Sequence, residues 1–230
     1  MIARHSGPET QTKTGSNLAR ELQNRVLDLV QQATGITLQR EVAPLWLMRP
    51  GRIETKQLWS TVSSIFNDLT NTGLPNVMPV RERRSIDAVL LESDGRQRIV
   101  EVDEVQHFTP ARARTLALYP EGTETAFDRS EWARRSAAAI KLRGGGFGRA
   151  CPPLFPELGG RHSQRAFRDT LADLMPKLYG WAPTLRIGDF EVKAWLHEDD
   201  AESRMAVLLR AKGIRCGEAP HQDPTYDGVV

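Results

Sequence analysis

Between Ile86 and Phe108 the chain reads IDAVLLESDGRQRIVEVDEVQHF, two β-type runs joined by Ser-Asp-Gly-Arg. Asp-Gly suits the positive φ angles of a type I′ turn, so the pattern predicts a hairpin with strands over Ile86–Glu92 and Gln97–Val105. A hairpin constrains more than a lone strand does, because closing it fixes which side chains stand opposite one another. Side chains alternate across a strand. Glu101, Asp103, Val105 and His107 therefore fall on one face of a regular strand, and Val100, Val102, Glu104 and Gln106 on the other. Asp87 precedes Glu101 by fourteen positions, so a turn at Asp94-Gly95 brings it across from the Glu101–Asp103 region.

Ile99, Val100, Val102 and Val105 mark the second strand as buried. A carboxylate in such a place is costly unless cations or hydrogen-bond donors compensate it. Three converging carboxylates repel one another, and a divalent metal is the usual remedy. An oxygen-only cluster suits Mg²⁺ or Mn²⁺. The chemistry that follows is phosphodiester hydrolysis, in which the ion polarises a phosphoryl oxygen and acidifies water. The competing reading has the three acids ion-paired to Arg83, Arg84, Arg96 and Arg98 nearby.

The rest of the chain reads as helices around this hairpin. Residues 1–15 are expected as a lead-in. A helix is predicted from about Ser16 to Ala33, with Leu18, Leu22, Val26, Leu29 and Val30 on its apolar side, and a second over the QLWSTVSSIFNDLT stretch. Asp128 with Glu131 forms a capping box opening a third. A fourth is expected over about Ser163–Leu178, and a last one over the AESRMAVLLRAKG stretch, leaving residues 216–230 as a tail. TLRIGDFEVKAWL suggests a second hairpin turning at Gly188-Asp189. With 230 residues and 40% hydrophobic content the chain can bury one core. The fold class expected is mixed α/β (α+β), one sheet with flanking helices. A core over residues 16–125 would be completed by an extension over 126–215.

The net charge of +2 is too small to argue for a polyanion partner, but its distribution is uneven. Residues 128–170 hold nine Lys/Arg against four Asp/Glu, while residues 189–230 hold five against nine. The two cysteines, Cys151 and Cys216, support neither a zinc site nor a disulfide framework. There is no long apolar run, so no membrane span is expected, and a reducing cytoplasm is the default compartment.

An Asp on one strand, a turn, and an acidic-x-acidic strand resembles the PD-(D/E)xK nuclease superfamily. More narrowly, VEVDEVQHF resembles the ExDGxxH signature of the branch related to very-short-patch-repair endonucleases. The resemblance spans roughly Ser16 to Arg114 and implies a restriction-endonuclease-like mixed sheet flanked by helices. It implies Mg²⁺ or Mn²⁺ bound by Asp87 and Glu101, with Asp103 as a third metal-binding acid where many relatives carry Lys. His107 matches the motif histidine, with a role in proton transfer. Glu21 is the candidate for the glutamate that a preceding helix often supplies. Glu104 stands where the motif has Gly.

Arg83 and Arg84 lead into the first strand, Arg112 and Arg114 follow His107, and Arg134, Arg135 and Arg165 lie on later helices. All are candidates for phosphate contacts, since Arg bonds phosphate bidentately. Each is equally a candidate for an ordinary ion pair or a solvated helix face. The expectation is a metal-dependent DNA endonuclease, of a kind serving restriction, repair or anti-phage defence; cutting both strands would need a homodimer. The alternatives are a non-catalytic nucleic-acid-binding module and a protein-interaction domain.

Overall fold

The computed structural model describes residues 9–48, 50–79, 85–139 and 148–217, with side chains from Leu18 onward. The elements run α1 (Glu9–Thr34), β1 (Gln39–Val42), α2 (Leu45–Met48), α3 (Arg52–Thr55), α4 (Trp59–Thr70), β2 (Ile86–Leu91) and β3 (Gln97–Asp103). They continue with α5 (Pro110–Ala117), α6 (Arg129–Ala137), α7 (Gly160–Leu174), β4 (Ala182–Gly188), α8 (Asp189–Val192) and α9 (Ala201–Ala211). The strands form one open mixed sheet in the order β1-β2-β3-β4, antiparallel at its first two pairings and parallel between β3 and β4. The protein is thus a mixed α/β fold with helices on both faces of the sheet.

Strand alternation divides the core in two. Ala88, Leu90, Val100, Val102, Leu185 and Ile187 face α1 and α9, meeting Val26, Leu29, Val30, Met205 and Leu209. Val89 and Ile99 face the other way, toward Ile65 and Phe66 of α4 and Phe167 and Leu171 of α7. Each such aliphatic side chain contributes about 1.5–3 kcal/mol by leaving water. The second layer is also seated by close backbone approach. A Cβ at Gly160 would lie 2.1 Å from the carbonyl oxygen of Phe155, so a side chain there would push the start of α7 off its support.

Several local expectations are modified. Helix α1 begins at Glu9, inside the expected lead-in, while residues 1–8 and 218–230 lie outside the described residues. The hairpin forms between β2 and β3, but Gly95 alone in its turn has positive φ, at 83°. A type I′ turn needs two such residues. Instead the Gly95 N–H donates to the Glu92 carbonyl and the Glu92 N–H to the Arg96 carbonyl, the pattern of a three-residue loop closed by a glycine. Asp128 caps α6 by accepting from the N–H groups of Ser130 and Glu131, but the Glu131 carboxylate is held by Arg134 and Arg135. The second hairpin does not form. β4 ends at Gly188 and passes into α8, and its partner is β3 in parallel. The chain reaches that position by crossing over through α5, α6 and α7, a long-range pairing that no local pattern encodes.

Candidate active site at the end of the sheet

One residue beyond the paired Ala88 and Val100, Asp87 and Glu101 stand opposite each other on the α7-facing side. On the next strand Arg186 is in register with Glu101. Both side chains line the same cleft. One Asp87 oxygen accepts from the Val102 N–H at 2.8 Å, which fixes the carboxylate at the strand end.

A cleft of about 210 Å³ opens here. Asp87, Glu101, Glu104, Gln106 and His107 line it from the hairpin side, and Arg161, Arg165, Arg168 and Asp169 from α7. Regular alternation does not deliver the hairpin set. β3 stops at Asp103, and a tight turn follows, with the His107 N–H donating to the Glu104 carbonyl at 2.8 Å. The turn carries Glu104, Gln106 and His107 to one side. The Gln106 amide donates to Glu104 at 2.9 Å, and burial pushes the Glu104 carboxyl up despite the attraction of His107.

Beneath the cleft lies a buried ionic network. Asp103 is fully buried; one oxygen accepts from the Trp132 indole N–H and the other from Arg186, each at 2.7 Å. Arg186 also donates to Asp173 at 2.7 Å and lies 3.5 Å from an Asp169 oxygen. Asp173 in turn accepts from Arg112 at 2.6 Å and from the Tyr119 hydroxyl at 2.7 Å. Burial opposes the charge on Arg186, yet Asp103, Asp173 and Asp169 hold its pKa well above the ordinary value. Asp169 goes the other way: burial disfavours its charge, but His107 and Arg186 keep it well below the carboxylate range.

His107 joins cleft and network. Its Nδ1 lies 3.0 Å from Asp169 and 3.4 Å from Asp103. Burial disfavours its protonation, but the two carboxylates prevail and raise its pKa. Three aspartates against Arg112 and Arg186 leave one negative charge, and a protonated His107 cancels it. With Nδ1–H committed to Asp169, Nε2 is the nitrogen left for proton exchange.

Several site expectations are corrected by this arrangement. Asp103 spends both oxygens inside the network, so it is an internal counter-ion and not an outward ligand. Glu21 lies on an exposed part of α1 and does not line the cleft; Gln23 does. Arg112 is 1% exposed and belongs to the network, where nucleic acid cannot reach it. Arg114 pairs with Asp68 at 2.9 Å, and Arg134 and Arg135 pair with Glu131 at 2.7 and 2.6 Å; none of the three lines the cleft. Arg135 also stacks over the Phe190 ring at 3.5 Å. Arg165 lines the cleft, whereas Arg83 and Arg84 lie outside the described residues. Asp169, Asp173 and Arg186 went unread in the sequence. A lone Arg inside the apolar run TLRIG was the available signal, since a charge in a central strand needs a buried partner.

Among the described residues no group of three or more His, Cys, Asp or Glu side chains is arranged to hold a metal ion. Of the three acids expected to hold a metal, Asp87 and Glu101 line the cleft. That set fits Mg²⁺ or Mn²⁺, since Mg²⁺ is commonly held by one or two carboxylates and completed by water and substrate phosphate. Also among the described residues, no helix is long and apolar enough to cross a membrane. Comparison with protein-family models, with curated proteins and with solved structures finds no match.

Proposed function

We propose that the protein is a metal-dependent endonuclease hydrolysing phosphodiester bonds in DNA, acting in the cytoplasm in restriction, repair or anti-phage defence. The observation that carries this reading is that Asp87 and Glu101 line one cleft beyond the last β2–β3 pair, facing Arg161, Arg165 and Arg168 of α7. Mg²⁺ or Mn²⁺ between the two carboxylates would neutralise charge on the phosphoryl group and acidify water. The chain's own residues supply the rest. Arg165 offers a donor to a phosphate oxygen and is held at the cleft by a 3.2 Å bond to the Gln106 carbonyl. His107, oriented by Asp169, takes the proton from the attacking water at Nε2. As a general base it must be neutral, so its raised pKa makes activity climb with pH above the ordinary imidazole value of about 6.5.

The test is a cleavage assay on plasmid, single-stranded DNA and RNA with Mg²⁺, Mn²⁺ or EDTA. Cleavage of DNA that needs the divalent ion and is lost in Asp87→Asn and Glu101→Gln is expected. Undiminished cutting by both variants in a clean preparation would remove the assignment. Metal-independent, salt-sensitive DNA binding without cutting would favour a binding module on the same fold. Opening of both plasmid strands would point to a homodimer.

A further inference from the structure

The α7 wall of the cleft carries Arg161, Arg165 and Arg168, at positions i, i+4 and i+7 and hence on one face of the helix. These are not network arginines. Among the described residues neither Arg161 nor Arg165 has a carboxylate within ion-pair distance. Arg161 donates to the Gln164 side-chain oxygen at 2.6 Å and Arg165 to a backbone carbonyl. Burial pulls the Arg161 pKa down to about 10, and its neighbours Arg165, Arg168 and Arg149 press the same way. Arg165 is lowered too, by burial first, although Asp169 and Glu104 partly offset it. Half-buried guanidiniums that repel one another are a cost to the fold, and an anionic ligand reduces it.

The size of the site restricts which anion. A cleft of about 210 Å³ is smaller than the pockets that enclose a whole small ligand, which run from about 300 Å³ upward. It suits groups that enter one at a time from a chain lying outside. Seven residues of α-helix advance about 10 Å. Successive phosphates of one strand advance about 3.4 Å along a duplex axis, so the row spans about three phosphate-to-phosphate steps.

We propose that Arg161, Arg165 and Arg168 form a track for the backbone of one polynucleotide strand, running along α7 and delivering one phosphate to Asp87 and Glu101. The proposal rests on the nuclease reading for its end point, but the track itself binds without metal and without cutting. It makes the substrate a chain of several phosphates and not a mononucleotide, and it places the contacts on the backbone, indifferent to base sequence.

The experiment is fluorescence anisotropy of a labelled single-stranded DNA oligonucleotide in EDTA, titrated over about 50–200 mM salt, with an RNA of the same sequence as a second arm. Wild type is expected to bind with a steep salt dependence, similar for DNA and RNA. Arg161→Gln and Arg165→Gln should each lower the slope of log K against log salt by about 0.7, the value of one phosphate contact on a single strand. Both should keep or raise the wild-type melting temperature. Arg134→Gln, away from the cleft, should leave the slope unaltered. Unchanged slopes in the two cleft variants, or an equal fall in Arg134→Gln, would overturn the track. Because nothing is cut in EDTA, that failure leaves the Asp87–Glu101 reading standing. Conversely, a wild type that binds as expected but never cleaves would remove the nuclease reading and leave the track.

Discussion

Two groups of arginines lie side by side in this protein and are used in opposite ways. Arg112 and Arg186 sit at 1% and 0% exposure, each with carboxylate partners at 2.6–2.7 Å. Arg161 and Arg165 line an open cleft with carbonyl oxygens as their acceptors. The first pair is matched to aspartates supplied by β3 and α7. The second faces other arginines on its own helix. A guanidinium sealed from water and matched to carboxylates holds elements together; one held in a cleft among like charges is, in the proposal above, the binder of an anion from outside. Residue type is the same in both, and only the environment separates structure from function.

The largest effect should come from breaking the sealed side. Arg186→Met leaves Asp103, Asp169 and Asp173 buried around a missing cation, so denaturant unfolding should show a loss of about 3–5 kcal/mol. The matching change on the open side, Arg161→Met, should be within about 0.5 kcal/mol of wild type. Equal losses in the two would erase the distinction. Next come the cleft carboxylates. Asp87→Asn or Glu101→Gln should slow DNA cleavage on the order of 10³-fold, as expected when several kcal/mol of transition-state charge stabilisation is lost, with the unfolding midpoint kept.

His107 sits on the border and sharpens the comparison through pH. Its raised pKa means that the fold stabilises the protonated ring. That stability is fully present below about pH 6.5 and is lost as pH rises through the folded value. Activity should move oppositely, rising as the ring loses its proton. Asp169→Asn removes the nearer carboxylate, so the midpoint of the pH–rate curve should fall toward about 6.5. His107→Ala should cost about 10²–10⁴-fold in rate at the optimum. Asp169 itself is depressed, so its contribution holds above about pH 3.9 and is lost as pH falls through its folded value. The smallest effect belongs to exposed pairs. Arg114→Ala, which breaks the contact with Asp68, should cost less than about 1 kcal/mol and leave cleavage unchanged.

The sequence made legible what short-range physics decides. Alternation and the Asp-Gly turn bring Asp87 to the Glu101–Asp103 end of β3, because hairpin closure is local, although the three-residue loop shifts the register by one from that of a type I′ turn. The apolar spacing of α4 and α7 is equally local, and it points Phe66, Phe167 and Leu171 into the core. What failed was long-range. The Gly188-Asp189 dipeptide looks like a hairpin turn, but β4 is consumed by a parallel pairing with β3 that returns through three helices. Arg112 and Arg165 were indistinguishable as residues of basic stretches, since only the tertiary fold puts Asp173 against one and open space beside the other. The helix α5 was missed although Thr109 and Pro110 announce it: the threonine side chain accepts from the Arg112 N–H, and proline suits the first helical position. Asp103 misled for a related reason. Strand alternation gives its face correctly but cannot say that Trp132 and Arg186 already hold its oxygens.

A Mn²⁺ titration by calorimetry reads which aspartate the proposed divalent ion needs, without requiring turnover. Wild type and Asp103→Asn should bind Mn²⁺ alike, while Asp87→Asn should lose the binding heat. Retention of Mn²⁺ by Asp87→Asn with loss in Asp103→Asn, or no binding by the wild type, would contradict the proposed centre.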